Sequence, residues 1–164
     1  MFSGKNGKNL GIGFRRSTFG DRIRDYLDQL KTQDAINFAY KVGYEIDNTI
    51  IYIKSYYFNR GQYSEAINVC LLANSNLKIR MLKRLYSVFV KKVWIDYALQ
   101  AANYLPNSYR VCYLRKIIRY CKDPFCTLDN NHRKKILSEA QGYLGKVKDT
   151  DIDPPQTKKT QIII

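Results

Sequence analysis

The sequence predicts an all-α protein, a short stack of antiparallel helical hairpins with flexible ends, and three observations carry that expectation. Apolar residues recur along most of the chain at the i, i+3, i+4, i+7 spacing of a helix face. Strand-like alternation is nowhere sustained. Alanines followed by an aliphatic residue return at intervals of 31 and 32: Ala35-Ile36, Ala66-Ile67 and Ala98-Leu99. Small residues let a neighbouring helix approach closely, so their recurrence implies hairpins that bury their apolar faces against the next hairpin. A second series, Phe58, Phe89 and Tyr120, is spaced by 31, each followed two residues later by a base: Arg60, Lys91 and Lys122. About three such units are expected, near the minimum for a stable array.

Taken in order, Met1 to Thr18 mixes Gly, Lys, Asn and Ser without an apolar period and reads as a flexible basic tail, residues 1–18. Thr18 and Asp21 are spaced as a capping pair ahead of Ile23, Tyr26, Leu27 and Leu30, which predicts a first helix from about Gly20 to Lys31. Ala35, Ile36, Phe38, Ala39 and Val42 predict a second, ending near Gly43, a favourable residue just past a helix end. Further helices are expected over Asn48–Asn59, Tyr63–Asn74, Leu77–Lys92, Ile95–Leu105, Ser108–Lys122 and Asn131–Gly145, with Pro106 and Pro124 punctuating their ends. Thr49–Tyr57, rich in β-branched and aromatic residues, carries the weakest helical pattern of the set. Asp149 to Ile164 contains Pro154-Pro155 and a Thr/Lys/Gln stretch, so a single helical domain over 19–146 is expected before a second flexible tail over 147–164.

Composition bounds the function. The 164 residues include 45% hydrophobic side chains, enough for a core, and 28 Lys+Arg against 14 Asp+Glu give a net charge of +14. Residues 76–148 hold 16 bases and 4 acids and so carry most of the excess. That density favours an anionic partner: nucleic acid, acidic protein or phospholipid headgroups. No apolar run approaches the roughly 18 residues of a spanning helix, and the polar, basic amino terminus lacks the apolar stretch of a signal peptide. Four unevenly spaced cysteines do not form a disulfide framework, so a reducing, intracellular compartment, cytoplasmic or host-cell interior, is expected.

Tyr57, Gly61, Tyr63, Ala66, Ile67 and Ala73 carry a family resemblance. The segment Tyr57-Phe-Asn-Arg-Gly-Gln-Tyr-Ser-Glu-Ala-Ile resembles one tetratricopeptide unit, with an aromatic late in the first helix, a glycine turn and the packing alanines of the second. The likeness is local to residues 50–76; around Ala35 and Ala98 no counterpart of Gly61 is found, and the spacing is 31 to 32 where the family uses 34. The resemblance implies a curved α-solenoid that presents a groove to a peptide or protein.

The bases acquire a geometry on such helices. Arg80, Arg84, Ser87 and Lys91 form a stripe opposite Leu82, Leu85 and Phe89, and Arg115, Arg119 and Lys122 form another. A 31-residue shift maps Arg115 onto Arg84 and Lys122 onto Lys91, so stacking predicts a cationic ladder, extended by Lys83, Lys116 and the Arg133-Lys134-Lys135 cluster. The ladder suits an acidic protein or peptide. It equally suits RNA phosphates, with Tyr109, Tyr113 and Tyr120 available to stack on bases if exposed.

Cys112, Cys121, Cys126 and His132 superficially match a three-cysteine, one-histidine zinc finger. Nine residues along one helix set Cys121 about 180° from Cys112 and about 13 Å away, which leaves Cys121, Cys126 and His132 as the remaining trio. Cys70 and Cys112 read as small core residues. No catalytic set assembles: His132 has no evident carboxylate to orient it, Gly4-Lys5-Asn6-Gly7-Lys8 lacks the spacing of a phosphate-binding loop, and no cofactor is implied. The expected function is a non-catalytic adaptor or regulator with a groove edged by Arg80, Arg84, Lys91, Arg115, Arg119 and Lys122. The alternative is an RNA-binding protein, for example a small viral suppressor of host defence or a regulatory factor, using the same face.

Overall fold

A computed structural model describes residues 11–147, with side chains from Gly20 onward. Its eight helices run α1 (Gly11–Asp28), α2 (Thr32–Lys41), α3 (Ile46–Asn59), α4 (Tyr63–Cys70), α5 (Ser75–Lys91), α6 (Ile95–Asn103), α7 (Asn107–Lys122) and α8 (Asn130–Gly145), with no strand among the described residues. Consecutive helices pack as four pairs, α1–α2, α3–α4, α5–α6 and α7–α8, one more than the alanine series announces. In the fourth pair Ala140 marks the inner face, outside the spacing of Ala35, Ala66 and Ala98, which is why the series did not count it.

Three of the four hairpins turn the same way. The first helix ends with a residue in the left-handed region, Leu30 (φ 57°), Gly61 (φ 76°) or Val93 (φ 59°), spaced by 31 and 32 like the alanines. In each the residue after it donates its N–H back to a carbonyl five residues earlier: Lys31 to Tyr26 (2.8 Å), Gln62 to Tyr57 (3.0 Å) and Trp94 to Phe89 (2.9 Å). The left-handed residue itself bonds three back, to Leu27, Phe58 and Val90. This is a Schellman ending, which satisfies carbonyls that a terminating helix leaves orphaned. Leu30 and Val93 are therefore the counterparts of Gly61 that the residue types conceal.

The turns also set the register. Buried Tyr57 and Phe89 stand 32 apart and occupy the same place before the turn, whereas Phe58 is half-buried and matches Val90. Phe58, Phe89 and Tyr120 are thus one residue out of structural phase, and their regular spacing is coincidental. The second helices of the first three hairpins are short and lined with fully buried alanines, Ala35 and Ala39, Ala66, Ala98 and Ala101, and second helices touch each other through α4–α6 and α6–α8. The first helices make no comparably close pair with one another. A continuous apolar core runs from Ile23 to Ala140. Around buried Phe89, the partly buried rings of Phe58, Tyr63, Trp94 and Tyr97 interlock against this core, with the Tyr63 ring centroid 4.4 Å from that of Trp94 and 5.1 Å from that of Tyr97. Tyr57 is 1% exposed, and its hydroxyl is paired with that of Thr32 at 2.8 Å, tying α2 to α3.

Differences from the sequence expectation lie at helix ends. α1 begins at Gly11, so residues 11–18 are helical where a tail was expected; the apolar stripe that reveals a core-facing helix starts only at Ile23. α4 stops at Cys70, because Leu71, Leu72 and Ala73 bond three back and tighten into a turn before Asn74 caps α5. Thr49–Tyr57 is helical throughout, since Ile50, Ile53 and Tyr57 share one buried face. The tail readings for residues 1–10 and 148–164 lie outside the described residues. No helix among the described residues is long and apolar enough to cross a membrane.

Candidate binding surface

Because the first helices of the hairpins stand apart, a groove of about 430 Å³ opens between α3 and α5. Its floor is apolar, made by Ile51 and Phe58 of α3 and by Met81, Leu85 and Val88 of α5. Arg80 and Arg84 line it, and so does Lys54, a residue that the charge pattern of the second half of the chain did not single out. Lys54 is half-buried. Burial pulls its ammonium pKa below the usual lysine range; the Cys70 sulfur opposes that pull, and the positive charge of Arg84 adds to it.

The remaining predicted cations line other hollows. Arg115 and Arg119 line a shallower hollow of about 290 Å³ along α7 with Lys116, and Lys122 lies in another of about 310 Å³ with Arg133 and Lys134. Lys91 is exposed in the last turn of α5. The residue-for-residue alignment that a 31-residue shift predicts is not kept. Buried Leu82 and Leu114, Leu85 and Ile117, and Phe89 and Cys121 coincide at an offset of 32, so the 31-residue mapping is one residue short, about 100° around a helix. Arg84 shares its position with Lys116, and Lys83 with Arg115.

Carboxylates are engaged elsewhere. Asp28 accepts from the Tyr56 hydroxyl and the Arg60 guanidinium, which hold its carboxyl below the usual range. Asp96 meets His132 and Lys135, Asp21 meets Arg24 at 3.5 Å, and Asp47 accepts from Asn74 at 2.7 Å. Among the described residues no carboxylate lies within 4.0 Å of Lys54, Arg80, Arg84, Lys91, Arg115, Arg119 or Lys122.

The three tyrosines offered for base stacking are half-buried packing residues instead. The Lys83 ammonium sits over the Tyr109 ring at 4.5 Å, and Tyr113 meets Tyr86 edge-on at 4.3 Å with Lys116 5.3 Å from its ring. Tyr86 also donates its hydroxyl to the Tyr113 carbonyl (3.3 Å), and the hydroxyls of Tyr120 and Thr127 pair at 2.9 Å. Tyr86, Tyr109 and Tyr113 close the seam between α5 and α7, which is the space that remains open between α3 and α5.

Cys121, Cys126 and His132 do not converge. Cys121 faces the core at the position Phe89 holds in α5, with its thiol pKa raised by burial, and Cys126 is half-buried in the connection to α8. His132 instead turns its Nε2 to Asp96 at 2.5 Å, a carboxylate on α6 that lies far away in sequence and that no local pattern could reveal. Among the described residues no group of three His, Cys, Asp or Glu side chains could hold a metal ion. Cys70 is buried, donates to the Ala66 carbonyl at 3.2 Å, and has its thiol pushed up to about 12 by burial, so it is a core residue with no thiolate character. Cys112, by contrast, is exposed on α7 and is no core residue.

Fold and surface together define the class: an all-α stack of helical hairpins in which the groove cations Lys54, Arg80 and Arg84 have no carboxylate within 4.0 Å among the described residues. Comparison of the chain with protein-family models, with curated proteins and with solved structures gives no match.

Proposed function

We propose that this chain is a non-catalytic adaptor or regulator that holds an acidic protein or peptide against the cationic side of α3, α5 and α7. The observation that carries this reading is the pairing of an apolar-floored groove with cations that have no carboxylate of their own among the described residues. Cations left without an internal partner favour an anionic partner from outside, and the apolar floor adds area that a purely electrostatic contact would not use. The tetratricopeptide-like stretch supports the same reading. Tyr57, Gly61 and Ala66 stand before, in and after a hairpin turn, where that pattern uses such residues, next to the groove wall formed by α3.

RNA uses cations as well, but it draws affinity from aromatic faces, and Tyr109, Tyr113 and Tyr120 are engaged in packing. The full chain, immobilised and exposed to native lysate before and after nuclease treatment, distinguishes the two. The adaptor reading expects a protein retained after nuclease and released by the double substitutions Arg80→Glu/Arg84→Glu or Arg115→Glu/Arg119→Glu. Retention that vanishes with nuclease, with binding to single-stranded RNA that falls steeply and linearly with log salt, overturns it.

A further inference from the structure

The groove between α3 and α5 arises from particular residues. At the next seam, Tyr86 of α5 and Tyr109 and Tyr113 of α7 fill the space between the helices. Thirty-two residues earlier those three positions are Lys54, Leu77 and Met81. A thin, charged side chain and two aliphatic ones replace three rings, and the seam stays open.

The open seam dictates the shape of its occupant. Leu77 to Val88 are twelve residues of α5, eleven steps or about 16 Å, three helical turns. Both walls are α-helices whose backbone groups are bonded internally, and the Ser55 hydroxyl is turned back on the Ile51 carbonyl at 2.8 Å. The groove therefore has no strand edge and no backbone donor to share. A segment lying in it must satisfy its own backbone, as a helix does, and the polar handles on offer are Lys54, Arg80 and Arg84.

The geometry points to this groove as the seat of an amphipathic helix of a partner protein, with apolar side chains at i, i+3 or i+4 and i+7 lodged on Ile51, Phe58, Met81 and Leu85, and a carboxylate bonded to Lys54 between Arg80 and Arg84. This assignment rests on the acidic-partner reading above and narrows it to one groove. A carboxylate at that point restores to Lys54 the favourable field that burial and Arg84 remove, and it neutralises a cluster of three like charges. A partner lacking the acid would leave the ammonium desolvated and unpaired, so the lysine selects against purely apolar helices.

The test is a display selection of a 16-residue random peptide library on the full chain, followed by binding of the enriched peptides, as synthetic molecules, to variants. Expected are peptides with the i, i+3 or i+4, i+7 apolar pattern and an Asp or Glu on its border. Their affinity should fall at least tenfold when that acid becomes Gln or Asn, and similarly on the Lys54→Met chain, while Lys54→Arg retains most of it. Lys54→Met removes a desolvated charge at a half-buried site and keeps the fold, verified by an unchanged helical circular-dichroism spectrum. Enriched peptides without an acid, or equally tight binding to Lys54→Met, overturn the assignment. If the selected peptides are insensitive to Lys54→Met but lost on Arg115→Glu/Arg119→Glu, the groove is wrong and the acidic-partner reading stands. If no peptide enriches and the chain retains only RNA, both fall.

Discussion

At Val93 a β-branched residue, 41% exposed, takes up a left-handed conformation that glycine adopts freely and that disfavours L side chains by about 1–2 kcal/mol. The Schellman hydrogen bond from Trp94 to Phe89 holds it there, because giving up the turn would unpair the end of α5 and separate α5 from α6. Val93→Gly should relieve that strain and raise stability by about 0.5–1 kcal/mol, roughly 1–4 °C in Tm, with little lost packing. Gly61→Ala should do the reverse, by about 1 kcal/mol. A Cβ at Gly61 meets nothing within 4 Å, so that loss comes from the backbone alone. Thermal melts of the two variants check the pair, and equal Tm values for Val93→Gly and the parent would contradict the strained turn. Residue identity hides this feature: only Gly61 advertises its φ, while Leu30 and Val93 reach the same conformation under tertiary constraint.

For the elements, helix ends and alanine faces decide how the hairpins close. Asp129 caps α8, accepting from the backbone N–H groups of Asn131 (3.0 Å) and His132 (2.9 Å), and these bonds hold its carboxyl below the usual range. A depressed folded-state pKa adds stability that is present above the unfolded value and is lost as pH falls through the folded one. Asp129→Ala should therefore melt below the parent at neutral pH, with the gap closing as the medium is acidified below the ordinary carboxylate range. Melts across that range read it directly, and a pH-independent gap would contradict it. On the alanine side, Ala98 is fully buried on α6, a helix that packs against both α5 and α4. Ala98→Leu should cost about 1–3 kcal/mol by overpacking, measured by urea unfolding. The sequence showed these elements clearly, since the 3.6-residue period and the recurring alanines mark faces that must be buried. Ends were legible where a glycine or proline stood, as at Gly43, Pro106 and Pro124, whereas the caps Asn74 and Asp129 were not singled out and the start of α1 carries no apolar stripe to mark it.

Across the whole molecule, each hairpin touches chiefly its neighbours, so stability is expected to grade along the stack. Tyr57, Ile67, Phe89 and Ala98 place the densest burial in α3 to α6, while α8 buries only Ile136 and Ala140. Amide hydrogen exchange should be slowest in α3–α6 and faster in α8, and uniform protection across all the helices would show a single all-or-none unit instead. The same stacking determines where the cations go. An offset of 31 and one of 32 look equivalent along a string of residues, but on a helix one residue is about 100° of rotation. That rotation distributes Arg80 and Arg84, Arg115 and Arg119, and Lys122 over three hollows and brings Lys54, outside the basic half of the chain, into the first of them.

What the sequence by itself determined was the local and the periodic: helices, because apolar residues three and four apart must share a buried face, hairpin pairing from the spaced alanines, and a cationic second half. Only the tertiary structure decided which of those charges share a surface, that Tyr109 and Tyr113 seal one seam while the neighbouring seam stays open, and that His132 belongs to Asp96. The reason is physical. Helical propensity and amphipathicity act over a few residues, whereas the rotation of one helix against the next depends on the volumes packed between them.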